Sequence, residues 1–158
     1  MSDFIRPQYS TAVYADQIVT ATGSSLEDEL TGIDSSLSSF SFTPAAGAAN
    51  VSNVTIQAKD AEGASLAGVH LLTVWLSDAS TGLGLTGTSA SGTVTAKAAS
   101  GAVFGTLTAK KALVVQTLAD GSFVLEITDT AKTGFYVCAQ SGLKKSISSA
   151  LVAGNYGA

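Results

Sequence analysis

VSNVTIQAKDAEGASLAGVHLLTVWLSD, residues 51–78, decides the fold. In its first nine residues Val54, Ile56 and Ala58 recur at every second position, which places them on one face of a strand and leaves polar side chains on the other. DAEG then supplies turn chemistry. In GVHLLTVWLSD the residues Val69, Leu71, Thr73 and Trp75 alternate with a second apolar set, so this longer strand carries apolar side chains on both faces. Working outward, SGTVTAKA (91–98), KKALVVQTL (110–118), GSFVLEITD (121–129), TGFYVCAQ (133–140) and KKSISSALV (144–152) read as further strands. SDASTG, ADG and SG fall between strands as turns. About seven short strands at such spacing predict a sandwich or barrel over residues 51–158.

The composition agrees. A chain of 158 residues suits one domain with an appendage, and abundant Ala, Gly, Ser and Thr favour short strands and tight turns over long helices. Only 13% of residues are charged and the net charge is −4. That balance offers no footprint for a nucleic-acid backbone or an anionic membrane, so neither is expected as a partner. No apolar run matches an export signal or a bilayer span, and synthesis in a host cytoplasm without a signal peptide is expected.

Upstream of the strands the pattern changes. Residues 1–22 have no period and read as an extended arm, with Phe4, Ile5, Tyr9, Tyr14 and Ile18 as apolar and aromatic anchors. Over residues 23–41 a short amphipathic helix is expected. Ser24 with Glu27, or Ser25 with Asp28, fits a capping pattern, and Glu27, Asp28 and Glu29 load the first turn with negative charge. Leu26, Leu30, Ile33, Leu37 and Phe40 follow at steps of four, three, four and three, the spacing of a coiled-coil seam. With Leu30 and Leu37 at a, and Leu26, Ile33 and Phe40 at d, the seam leans toward trimers; docking onto a different protein and folding back onto the chain's own sandwich are the alternatives. Residues 42–50, which include Pro44 and small side chains, read as a linker.

Chemistry-bearing constellations are scarce. His70 is the single histidine and sits inside a strand pattern, with no G-x-S-x-G elbow to supply a partner nucleophile. Cys138 is the single cysteine, which excludes an internal disulfide and cysteine-built metal sites; a buried strand residue is expected there. GLGLTG, residues 82–87, has the spacing of a dinucleotide fingerprint, yet no helix follows to face a pyrophosphate. Asp60, Glu62, Asp120 and Asp129 read as turn formers rather than calcium ligands. The pairs Lys110-Lys111 and Lys144-Lys145 read as edge charges that keep strands soluble. No enzymatic activity, metal or cofactor is expected.

Two resemblances add to this reading. VTIQAKDAEGASLAGVHLLTVWL is similar to the opening of bacterial immunoglobulin-like domains, in which a strand meets a D-A-x-G-x-x-x-x-G-V turn; here the matching residues are Asp60, Ala61, Gly63, Gly68 and Val69. TLADGSFVLEITDTAKTGFYVCA resembles their paired closing strands, with Asp120-Gly121 as the turn. The implied fold is an all-β, immunoglobulin-like antiparallel sandwich preceded by an extended arm and one short helix. The overall layout resembles structural proteins of tailed-phage virions, of the head-decoration or head-fibre type. That resemblance implies a non-enzymatic homotrimer exposed on the particle, held through its arm to a major capsid protein or another virion protein. The alternative is a receptor- or glycan-binding module of a tail fibre or surface adhesin.

Overall fold

The computed structural model describes residues 36–158, which form a compact unit of their own. Nine strands make two antiparallel sheets. They are β1 (Ser39–Ala46), β2 (Val51–Lys59), β3 (Leu71–Ser77), β4 (Val94–Ala96), β5 (Ala102–Thr108), β6 (Ala112–Gln116), β7 (Ser122–Thr128), β8 (Tyr136–Ser141) and β9 (Lys144–Ile147). One sheet runs β1-β2-β7-β4 and the other β5-β6-β3-β8-β9. Alternation builds the core between them. Val54, Ile56 and Ala58 of β2 and Phe123, Leu125 and Ile127 of β7 meet Leu72, Val74 and Leu76 of β3 and Val137 and Ala139 of β8, all of them buried. Burying a side chain of this size contributes roughly 1.5–3 kcal/mol. The sandwich is therefore held mainly by these period-two faces.

The expected strand over 51–59 coincides with β2, but the segment before it departs from expectation. Residues 42–50 are not a linker, nor does a helix run to Phe40. β1 pairs with β2 along its whole length, from Ser39 opposite Lys59 to Ala46 opposite Ser52. Phe40 is 5% exposed in the core, and Leu37 and Phe42 pack against the same cluster. The amide of Phe40 donates to Ser146 Oγ at 2.9 Å, tying the edge of one sheet to β9 of the other. The physical reason is that β2 without β1 would leave a row of backbone groups unpaired. Pro44 is tolerated because β1 is an edge strand, where an amide on the free side has no ladder partner to lose. Leu37 and Phe40 thus belong to the sandwich and are not available to a helical seam. Leu26, Leu30 and Ile33, like the arm residues Phe4, Ile5, Tyr9, Tyr14 and Ile18, lie outside the described residues.

A second strand, β5, occupies Ala102–Thr108, where no strand is expected from periodicity. Its pairing with β6 is interrupted twice, between Val103 and Gly105 and between Thr106 and Thr108. The chain end is also fixed. Tyr156 is buried and its hydroxyl donates to the Thr133 carbonyl at 2.8 Å, while the Gly157 amide donates to the Val51 carbonyl at 3.0 Å.

Candidate interaction surface

The outward face of the five-stranded sheet is the feature that a folded core does not explain. β3 sends Leu72, Val74 and Leu76 inward and is left with Leu71, Thr73 and Trp75 outside. Across the sheet, Leu71 lies opposite Gln116, Thr73 opposite Val114 on one side and Gln140 on the other, and Trp75 opposite Ala112 and Cys138. Both bulges of β5 enrich this face. Two residues of β5, Phe104 and Gly105, oppose the single Val114, and Leu107 with Thr108 oppose Ala112. A bulge shifts the phase of the side chains. Phe104 and Leu107, of opposite parity in the sequence, consequently both line hollows of the outer face.

The β3–β4 connection folds over one end of that face. Trp75 Nε1 donates to the Gly82 carbonyl at 3.3 Å, and Gly82 rests on Cys138 and Ile147 so closely that an added Cβ would stand 2.9 Å from the Cys138 sulfur. Gly82 also has φ +63, a left-handed conformation that glycine adopts without steric cost. The glycines of GLGLTG therefore serve loop geometry, not a phosphate. Farther along, Asp78 accepts hydrogen bonds from the Thr86 hydroxyl at 2.6 Å and the Gly87 amide at 2.7 Å. The Thr86 hydroxyl, the Gly87 amide and the nearby Lys111 hold the Asp78 carboxyl below its ordinary range. Lys111 Nζ donates to the carbonyls of Thr86 and Gly87, at 2.8 and 3.1 Å, and Lys145 Nζ donates to the Thr81 carbonyl at 3.2 Å. The loop is anchored at both ends and at its middle. Leu83 and Leu85 stand exposed upon it.

The result is a surface with relief whose two outer hollows are mainly apolar and whose middle, at Thr73, Gln140 and Ser141, is half polar. One hollow of about 450 Å³ lies among Trp75, Leu83, Leu85, Leu107, Gln140 and Lys145. Another, of about 370 Å³, lies among Val69, Leu71, Phe104, Val114 and Gln116. A third, which touches Thr73, Gln140, Leu71 and Val114, joins the two. Monomers seldom expose contiguous apolar patches larger than a few hundred Å² without a partner for them.

The titratable groups are placed differently. His70 precedes β3; its amide donates to Thr117 Oγ1 at 2.8 Å and its carbonyl accepts from the Thr117 amide at 3.0 Å. Its Nε2 is buried with no hydrogen-bond partner among the described residues. Cys138 is fully buried, and burial pushes its thiol up to about 11, which makes it a packing residue. Asp60 accepts from the amides of Glu62 and Ala64, Asp120 from Ser122, and Asp129 from Ser91 and Thr133. All three act as turn formers. Among the described residues no three His, Cys, Asp or Glu side chains gather to hold a metal ion.

Of the residues expected to make contacts, only Leu37 and Phe40 fall within the described part, and the fold assigns them to the core. The outer face was signalled in the sequence by the double-sided apolar pattern of GVHLLTVWL. No periodic signal pointed to β5 or to Leu83 and Leu85. Comparison with protein-family models and with curated proteins returns no match to this chain.

Proposed function

We propose that this protein is a non-enzymatic structural protein of a phage particle, of the decoration or head-fibre type, in which a β-sandwich is displayed and makes contacts through its outer sheet face. The observation that carries the contact role is the pre-organised apolar face, with Leu83 and Leu85 mounted on a loop braced by Asp78, Lys111 and Lys145. Bracing matters because a contact surface already held in place loses little freedom on association. The virion setting rests on the sequence resemblance. Attachment to the particle is assigned to Phe4, Ile5, Tyr9, Tyr14 and Ile18, and self-association, with three copies as the favoured state, to Leu26, Leu30 and Ile33.

An immunoglobulin-like topology is supported by the strand order. β1-β2-β7-β4 facing β9-β8-β3 has the A-B-E-D against G-F-C arrangement. One departure distinguishes it: the β5–β6 hairpin that widens the second sheet follows β4 in the chain instead of preceding it. The test of function deletes residues 2–20 and measures whether the purified protein still binds particles that lack it. Loss of binding is expected, and undiminished binding moves the anchor into the sandwich. A receptor- or glycan-binding role has one feature in its favour, the hollow where Trp75 meets Gln140 and Lys145. Glycan binding abolished by Trp75→Ala, and indifferent to residues 2–20, would select that role.

A further inference from the structure

We infer that the outer face of the five-stranded sheet pairs with the same face of a second copy of this chain. The inference rests on the reading of that face as a contact surface and names its occupant. Three properties of the face point to a second copy.

The first is its chemistry. No carboxylate lines its three hollows, and the one ammonium that does, on Lys145, donates to the Thr81 carbonyl. Bringing two such faces together opposes no strong like charges, whereas a foreign partner would find few groups to recognise by charge. Contacts between identical subunits are the more apolar kind.

The second is area. Leu83 is 72% exposed, Phe104 65%, Leu107 60%, Leu71 59%, Val69 56% and Leu85 44%. Together these six side chains present roughly 600 Å², and the half-buried Thr73, Trp75, Val114 and Gln140 between them bring the face near the ~800 Å² per partner that a stable interface needs.

The third is relief. A two-fold interface must be complementary to itself, since each contact is made twice with roles exchanged. This face carries projecting side chains and hollows side by side, so the Leu83–Leu85 ridge of one copy has a hollow beside Phe104 or Leu107 to enter on the other. The two bulges of β5 spoil that edge of the sheet for continued strand pairing, which favours contact by the face over contact through β5.

The test compares the full chain with its Leu83→Glu/Phe104→Glu variant by sedimentation across a concentration series. Three copies held by the amino-terminal seam cannot pair all their faces among themselves, so the unsubstituted chain is expected to reach at least twice the particle mass of the variant. Each substitution falls twice in a two-fold interface, so at about tenfold for each anchor lost the four changes should raise the dissociation constant of the pairing about 10,000-fold. Circular dichroism should be unchanged, since both side chains are exposed. A measurement free of any variant is hydrogen exchange on the unsubstituted chain, where amides of residues 82–85 and 103–108 should gain protection with concentration. Equal masses, or protection independent of concentration, overturn the pairing. Equal masses together with a variant that no longer binds particles would leave the face as a contact surface for a foreign protein. Equal masses with undiminished binding would remove both readings.

Discussion

Asp129 ties two loops together. It is 1% exposed, and its carboxylate accepts from the Ser91 amide at 3.1 Å and the Thr133 amide at 2.8 Å, joining the chain before β4 to the chain before β8. Burial pushes its carboxyl up, but the hydrogen bonds from Thr133 and Ser91 outweigh that and hold it below the ordinary value. Removing the carboxylate leaves two partly buried donors without their acceptor. Asp129→Ala is expected to lower the unfolding free energy by about 1–2 kcal/mol in urea titration. Gly121 is a second fixed point. It has φ +79, and a Cβ there would run into the Leu66 carbonyl oxygen, so Gly121→Ala is expected to cost about 2 kcal/mol by the same measurement. Both positions were legible as turn residues, Asp120-Gly121 by its dipeptide and Asp129 by its place after a strand. What Asp129 binds was not legible, because its partners lie 38 residues before it and four after.

At the scale of elements, two strands escaped the sequence for different reasons. β1 offers only Phe40 and Phe42 at period two before Pro44 interrupts, and the same Phe40 also completes a heptad step. Which periodicity prevails depends on β2, whose free edge accepts β1 along eight residue pairs. Phe40, which faces the core, and Phe104, which faces out, give the test. Phe40→Ala is expected to cost about 3–5 kcal/mol, the range for a phenylalanine removed from a core, whereas Phe104→Ala, on the exposed bulge, should change the unfolding free energy by no more than about 0.5 kcal/mol when measured below the concentration at which the outer faces pair. Comparable losses at both would contradict the assigned orientations. A fragment that begins at residue 51 lacks β1 and should lose cooperative unfolding, while one that begins at residue 36 should keep it; thermal denaturation followed by circular dichroism distinguishes them. β5 was illegible because bulges break the alternation on which strand detection depends. Phe104 and Leu107 differ in parity, and no periodic template counts both.

For the whole molecule, the titrating groups define a pH window. Asp78, Asp120 and Asp129 all have carboxyls held below their ordinary range, by hydrogen bonds that favour the ionised form. A depressed folded value means that the stability they contribute is present above the unfolded value and lost as pH falls through the folded one, so the acid limb begins below about pH 4. Tyr156 is pushed up by burial and by the Asp129 carboxylate, and Cys138 by burial to about 11. For these the sign reverses. Their contribution is complete below the unfolded values and declines as pH rises toward the folded ones, which starts the alkaline limb near pH 9. The midpoint of thermal unfolding should therefore be level between about pH 5 and pH 8 and fall on either side. Tyr156→Phe is expected to remove the part of the alkaline limb above about pH 10 and to leave the earlier Cys138 part and the acid limb in place.

The sequence by itself determined the all-β class, the position of β2 and the two-faced character of β3. Each follows from side-chain alternation or local turn chemistry, properties that a few neighbouring residues settle among themselves. The tertiary structure decided where the sandwich begins, since β1 exists by pairing with β2. It decided that Phe40 is core and not seam, that Phe104 and Leu107 share one face, and that Leu83 and Leu85 stand over Trp75. Those outcomes depend on backbone pairing and packing between segments distant in the chain, and the energies that select them have no signature in any one segment.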